Sequence, residues 1–130
     1  MSGIARLALS LWIGSVASVA FLVTPRVFDF IDDNKYAGDL VAPIFNSVDL
    51  FGIGAAVLFA LAARKSRWRV ITVVVLGAAA AINVFGLSPR IAARDENFEV
   101  YHHIAVGLWS LILLGGVVLV VAGPRPAEKR

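Results

Sequence analysis

The chain has 130 residues, 59% of them hydrophobic and 16% charged, with a mean hydropathy of +0.83; soluble domains run near ~25% charged and ~45–50% apolar, so the apolar surplus belongs in lipid. A net charge of +3 and a pI near 9.8 are compatible with nucleic acid, but no stretch carries the solvated basic face that such a partner needs, and nucleic acid is excluded. Cysteine is absent, which removes disulfides, thiolate nucleophiles, Fe–S clusters and cysteine zinc sites.

Four apolar stretches, residues 4–24, 40–63, 70–87 and 104–122, approach the ~20 residues that a helix needs to cross ~30 Å of hydrocarbon. Helices are expected in all four, because an open strand in lipid leaves backbone groups unpaired and four segments cannot close a barrel. The first stretch, with Arg6 near its start, has the outline of a signal peptide. It is too long for one, and it runs into Thr24, Pro25 and Arg26 rather than a small-residue cleavage site.

Residues 25–39 mix Phe28, Phe30, Ile31 and Tyr36 with four aspartates, the composition of a short amphipathic helix lying at the interface. Gly38 and Pro43 punctuate the entry into the second span. The tight basic link over residues 64–69 makes the second and third spans an antiparallel hairpin, with Trp68 as an interfacial anchor. The expected fold is all-α: an integral membrane four-helix antiparallel bundle over residues 1–123, with one short interfacial helix between helices one and two and a polar tail over 124–130. The sequence reads as free of internal repeats, and its one low-complexity run is the alanines at 78–81.

Orientation follows from Lys and Arg placement. Arg6, Arg64, Lys65, Arg67, Arg69, Arg125, Lys129 and Arg130 fall on one side; Arg26, Lys35, Arg90 and Arg94 fall on the other, among seven acidic residues that leave that side at −3. Both termini, tail included, are therefore expected in the cytoplasm, with the protein multi-pass in the inner (plasma) membrane.

Association of helices in lipid relies on close backbone approach at small residues four apart. Ser10, Gly14 and Ser18 form such a row on helix one, Gly52, Ala56 and Ala60 on helix two, and Gly77 with Ala81 on helix three. These rows serve packing within the bundle or against other chains.

An ionisable group at membrane depth is expensive and is a functional candidate by default. Asp49 is the one such carboxylate, roughly 13 Å below a helix start at Leu40 by the ~1.5 Å rise per residue, with Asn46 one turn above it. Asn83 lies near the end of helix three, and His102 and His103 open helix four from the same side. A cluster of this kind can bind a cation, a proton or a polar headgroup, with a histidine titrating near neutral pH. Alternatively, Asn83 or a histidine neutralises Asp49 and the group only ties helices together. Adjacent histidines point about 100° apart on one helix and cannot flank a haem; the lone methionine is Met1, so soft-metal ligation has no support. Gly52-Ile53-Gly54 lacks the preceding strand and third glycine of a dinucleotide motif. No catalytic residues, cofactor or metal site are assigned.

Leu11-Trp12-Ile13-Gly14-Ser15, then Pro25 and Phe28, Ala37-Gly38, Ile44-Phe45, Asn83, Pro89-Arg90, Phe98 and His102 resemble the transmembrane protein 205-like family, also catalogued as domain of unknown function 4149. That resemblance implies a small four-helix membrane protein and no particular reaction. The chain departs from the family pattern at Asn46, Ser47 and Val48, where a Pro-x-Tyr-type stretch is usual, and at Ala105 and Trp109, where Ser and Asn are usual.

Three functions remain in view. The first is a non-enzymatic accessory subunit of a larger membrane complex, or a homo-oligomer. The second is an oligomeric transporter or channel for a cation or small solute, using Asp49. The third is a histidine-bound haem or metal redox protein. The topology has a direct check: a reporter active only outside the cytoplasm gives no signal when fused to the C-terminus, and a strong signal reverses the orientation.

Overall fold

A computed structural model describes residues 3–94 and 96–122, with Asp95 and the tail over 124–130 lying outside them. The described residues form four helices: α1 (Gly3–Phe30), α2 (Asn34–Ala62), α3 (Arg67–Ala93) and α4 (Phe98–Val121), all long and apolar enough to cross a membrane. Helix α1 packs on α2, α2 on α3, α3 on α4 and α4 back on α1, which makes a four-membered ring with α2 and α4 on one diagonal. Its core is Leu9, Trp12 and Val16 of α1, Phe59 of α2, Val73 and Leu76 of α3, and Ile112 and Leu119 of α4. Large apolar side chains such as Phe21, Leu61, Leu114 and Val121 point outward. Helices apolar all round are what lipid solvates.

Glycines set the closest approaches. A Cβ on Gly52 would collide with the Trp12 indole, and one on Gly116 with Ile13. Gly52 and Ala56 are buried, Ala60 and Gly77 are half-buried, and a Cβ on Gly77 would come within 3.0 Å of the Ala56 Cβ. The row on helix one behaves differently: Ser10, Gly14 and Ser18 face outward, because α1 buries the opposite side through Ala5, Leu9, Trp12 and Val16.

The expected separate interfacial helix over 25–39 is divided between two spans. Residues 19–23 adopt π-helical geometry, where the Thr24 N–H reaches the Val19 carbonyl and Thr24 Oγ1 donates to the same oxygen at 2.8 Å. Pro25 then falls in the first turn of the continuing segment Thr24–Phe30, where a missing N–H costs least. Helix α2 starts at Asn34, where Asp33 accepts from the Lys35 and Tyr36 N–H groups at 2.9 and 3.3 Å as an N-cap. Gly38 and Pro43 lie inside α2 rather than at its entry, and Ser47 Oγ donates to the Pro43 carbonyl at 2.9 Å.

The structure also corrects the absence of a repeat. A second π-helical segment, Ile82–Leu87, precedes Ser88-Pro89 just as the first precedes Thr24-Pro25, with the Ser88 N–H reaching the Asn83 carbonyl. The α-helical segments of the second half begin 64 residues after their counterparts, Gly3 and Arg67, Thr24 and Ser88, Asn34 and Phe98, and the two π-helical segments end 64 apart at Val23 and Leu87. Phe21-x-x-Thr24-Pro25-Arg26-Val27 matches Phe85-x-x-Ser88-Pro89-Arg90-Ile91 at that offset, as do Gly52 with Gly116 and Phe45 with Trp109. The chain is two helical hairpins of like direction, and in sequence the relation shows as one seven-residue signature and a few scattered matches.

The Trp12–Gly52 contact yields a paired expectation. Gly52→Ala overfills the bundle and lowers stability by about 1–3 kcal/mol, whereas Gly54→Ala, whose Cβ meets nothing within 4 Å, is neutral or better. Thermal unfolding of both in one detergent checks this, and equal melting temperatures would remove the close-approach argument.

Candidate functional site

Because α2 begins at Asn34, Asp49 sits about 22 Å along it at ~1.5 Å per residue, near the middle of a 29-residue helix and deeper than a helix starting at Leu40 would place it. It is 1% exposed. Its Oδ2 accepts from the Trp109 indole Nε1 at 3.1 Å, and Trp109 stacks on Phe45 with ring centroids 4.0 Å apart and planes 19° apart. Helices α2 and α4 stand on a diagonal, so these large side chains bridge the centre of the bundle.

Asn83 is 2% exposed and lies on the π-helical segment of α3. Antiparallel pairing anchored at Gly77 and Ala56 brings Asn83 opposite residue 50, the level of Asp49. Neither Asn83 Oδ1 nor Nδ2 has a hydrogen-bond partner, and Asp49 Oδ1 and Trp12 Nε1 are also buried without one. Unpartnered amides are rare in interiors; one on a π-segment coincides with where such segments tend to carry function.

Above this level the helix ends enclose a cavity of about 330 Å³, within the range of small-molecule sites. Phe45, Asn46, Asn83 and Trp109 line its deep end, and Asp39, Ser88, Arg94, Phe98 and His102 line it nearer the mouth. Arg94 closes α3 in the left-handed conformation (φ 48°). Its Nη2 donates to the Lys35 carbonyl at 3.3 Å, and its guanidinium sits 5.3 Å from the Phe98 ring centroid. Arginine thus ties the start of α2 to the start of α4.

Of the expected cluster, Asn46, Asn83 and His102 line the cavity, and Asp49 lies just beneath it. His103 turns away: its Nδ1 is 2.7 Å from the Glu99 carbonyl, to which the ring must donate, and the side chain is exposed. Both histidines sit in the second turn of α4 rather than at its opening. The partner of Asp49 is Trp109, not Asn83 or a histidine. The available signal was tryptophan's usual place at membrane interfaces: one in mid-helix needs a buried acceptor for its N–H.

A double-mutant cycle tests the bond. Asp49→Asn and Trp109→Phe, singly and together, should show a coupling of about 0.6–1.7 kcal/mol in thermal or denaturant unfolding, the range for interhelical hydrogen bonds in membranes. Additive effects would mean that the bond does not contribute.

Among known proteins, the family model described as "Domain of unknown function (DUF4149)" matches residues 7–97. No curated protein and no solved structure matches the chain. Asp49 and Asn83 fall within the matched stretch, whereas Trp109 and the histidines fall beyond it. With well over half of its length covered, and with four helices fit to span a membrane, the chain belongs to the DUF4149 family.

Proposed function

We propose that this membrane protein binds a small polar or amphipathic solute in the cavity between its helix ends, and that it does so without turnover. The observation that carries this reading is Asn83, whose donor and acceptor are both unpartnered at 2% exposure on the wall of a 330 Å³ cavity. A buried amide without partners costs about 1–3 kcal/mol, and a ligand that accepts from Asn83 Nδ2 removes part of that cost. Phe45 and Trp109 give the same ligand an apolar face. Binding is favoured over catalysis because, among the described residues, no hydrogen bond joins Asp39, Arg94 and His102 into an acid–base pair.

The repeat supports the reading. Helix interruptions at corresponding positions of two halves mark binding sites in many transporters, and here Thr24-Pro25 and Ser88-Pro89 are such a pair. Arg64, Lys65, Arg67 and Arg69 lie at the opposite end from the cavity, which by the positive-inside rule opens it to the outer side of the inner membrane and leaves both termini in the cytoplasm.

A second reading, self-association or service as an accessory subunit, draws on the outward row Ser10, Gly14 and Ser18, where Gly14 has no neighbour within 4 Å. Small residues on a lipid-facing side permit close approach of another helix.

Native mass spectrometry of the detergent-extracted protein addresses both readings. Wild type should carry a non-covalently bound small molecule that Asn83→Leu loses; the same bound species in both proteins overturns the solute reading. The subunit count in the same spectra should fall to one in Gly14→Leu if the outward row holds copies together, and an unchanged count removes the row from that role.

A further inference from the structure

We propose that Asp49 Oδ1 and Asn83 Oδ1, brought to one level by the α2–α3 pairing, hold a small monovalent cation of the Na⁺ class beneath the cavity, leaving the Asn83 Nδ2 donor to a solute above. The carboxylate is 1% exposed at the middle of α2, with one oxygen engaged by the Trp109 N–H and the other without a partner. A lone carboxylate at that depth is neutralised either by a proton or by a counter-charge. The protein does not supply one: every described Lys, Arg and His lies near a helix end, and Arg94, tied to the Lys35 carbonyl, is about 21 Å away along α2 at ~1.5 Å per residue. The counter-charge comes from outside, through the cavity whose deep end Asn46 and Asn83 line.

The oxygens define the class. One carboxylate and amide oxygens from Asn83 and, one turn above Asp49, Asn46 are hard ligands, suited to an alkali cation rather than a soft metal. A single negative charge is neutralised by one monovalent ion, whereas a divalent ion would leave a net positive charge in the bundle.

The repeat provides an internal control. At the 64-residue offset, Asp49 corresponds to Leu113 and Asn83 to Val19, so the other half builds the same helices with apolar side chains at both positions. Bundle architecture therefore does not demand the polar pair.

The test uses the purified full chain in detergent at constant ionic strength, with choline chloride exchanged stepwise for NaCl or KCl and the melting temperature followed. The expected result is a saturable rise of several degrees with Na⁺, following the linkage of a ligand that binds only the folded state, and none with choline alone. Asp49→Leu and Asn83→Val, each copying the other half, should melt identically in Na⁺ and choline. If Asp49→Leu fails to fold, Asn83→Val and the wild-type titration decide. A melting temperature indifferent to Na⁺ and K⁺ in wild type means that a proton fills the role and overturns the proposal. A Na⁺ shift that survives both substitutions locates the ion elsewhere and overturns it equally.

Discussion

The bond from the Trp109 indole to the Asp49 carboxylate crosses the bundle on its diagonal, and the arrangement of the cavity depends on it. Helices α2 and α4 are not neighbours in the ring; they meet because Trp109 fills the axis, lying against Phe45 on one side and reaching Asp49 with its N–H. Below this plug the helices close on small residues and a continuous apolar core. Above it they leave 330 Å³ open. One side chain thus separates a packed half from an accessible one, and its polar edge holds a buried carboxylate just beneath the cavity.

The two hairpins share element starts, both proline interruptions and a signature around them, yet they differ where chemistry is concentrated. Asp49 and Asn83 come from different halves and face counterparts of apolar character, Leu113 and Val19. Phe45 and Trp109 are equivalent positions that touch each other near the axis, and only the second carries an N–H. The frame is common to the two hairpins, while a few residues that differ between them make the site.

Much of the frame was legible in the sequence. Hydropathy alone delimits four spans because lipid allows little but helix, and residues 64–69 fix the central hairpin. Helix ends were less legible: Pro25, Gly38, Pro43 and Pro89 are stop signals in water, but here the helices continue through them, with a π-helical segment ahead of Pro25 and of Pro89. Six further residues at the start of α2 carried Asp49 to mid-helix. Asp49, Asn46, Asn83, His102 and His103 read in the sequence as polar groups of one region, and of these His103 turns out of it. The identity of the carboxylate's partner was not legible, because an indole in an apolar run reads as bulk rather than as a donor. Small-residue spacing located the rows but not their direction; Trp12 and Leu9 decide which face of α1 turns inward, and size outweighs spacing there.

The π-helical segments also act on the register of the sequence itself. Each widened turn absorbs one extra residue, so the order in which side chains face inward slips by about 100° relative to an uninterrupted α-helix. A helical wheel drawn through Val19–Val23 or Ile82–Leu87 is accurate on either side and out of phase across the join. Since both halves slip at the same place, the cavity-end turns of α1 and α3 stay in step with each other while falling out of step with their own lower turns. The cavity end of the molecule is thereby free to present a polar, open lining on helices whose other end obeys the pattern of a closed apolar bundle.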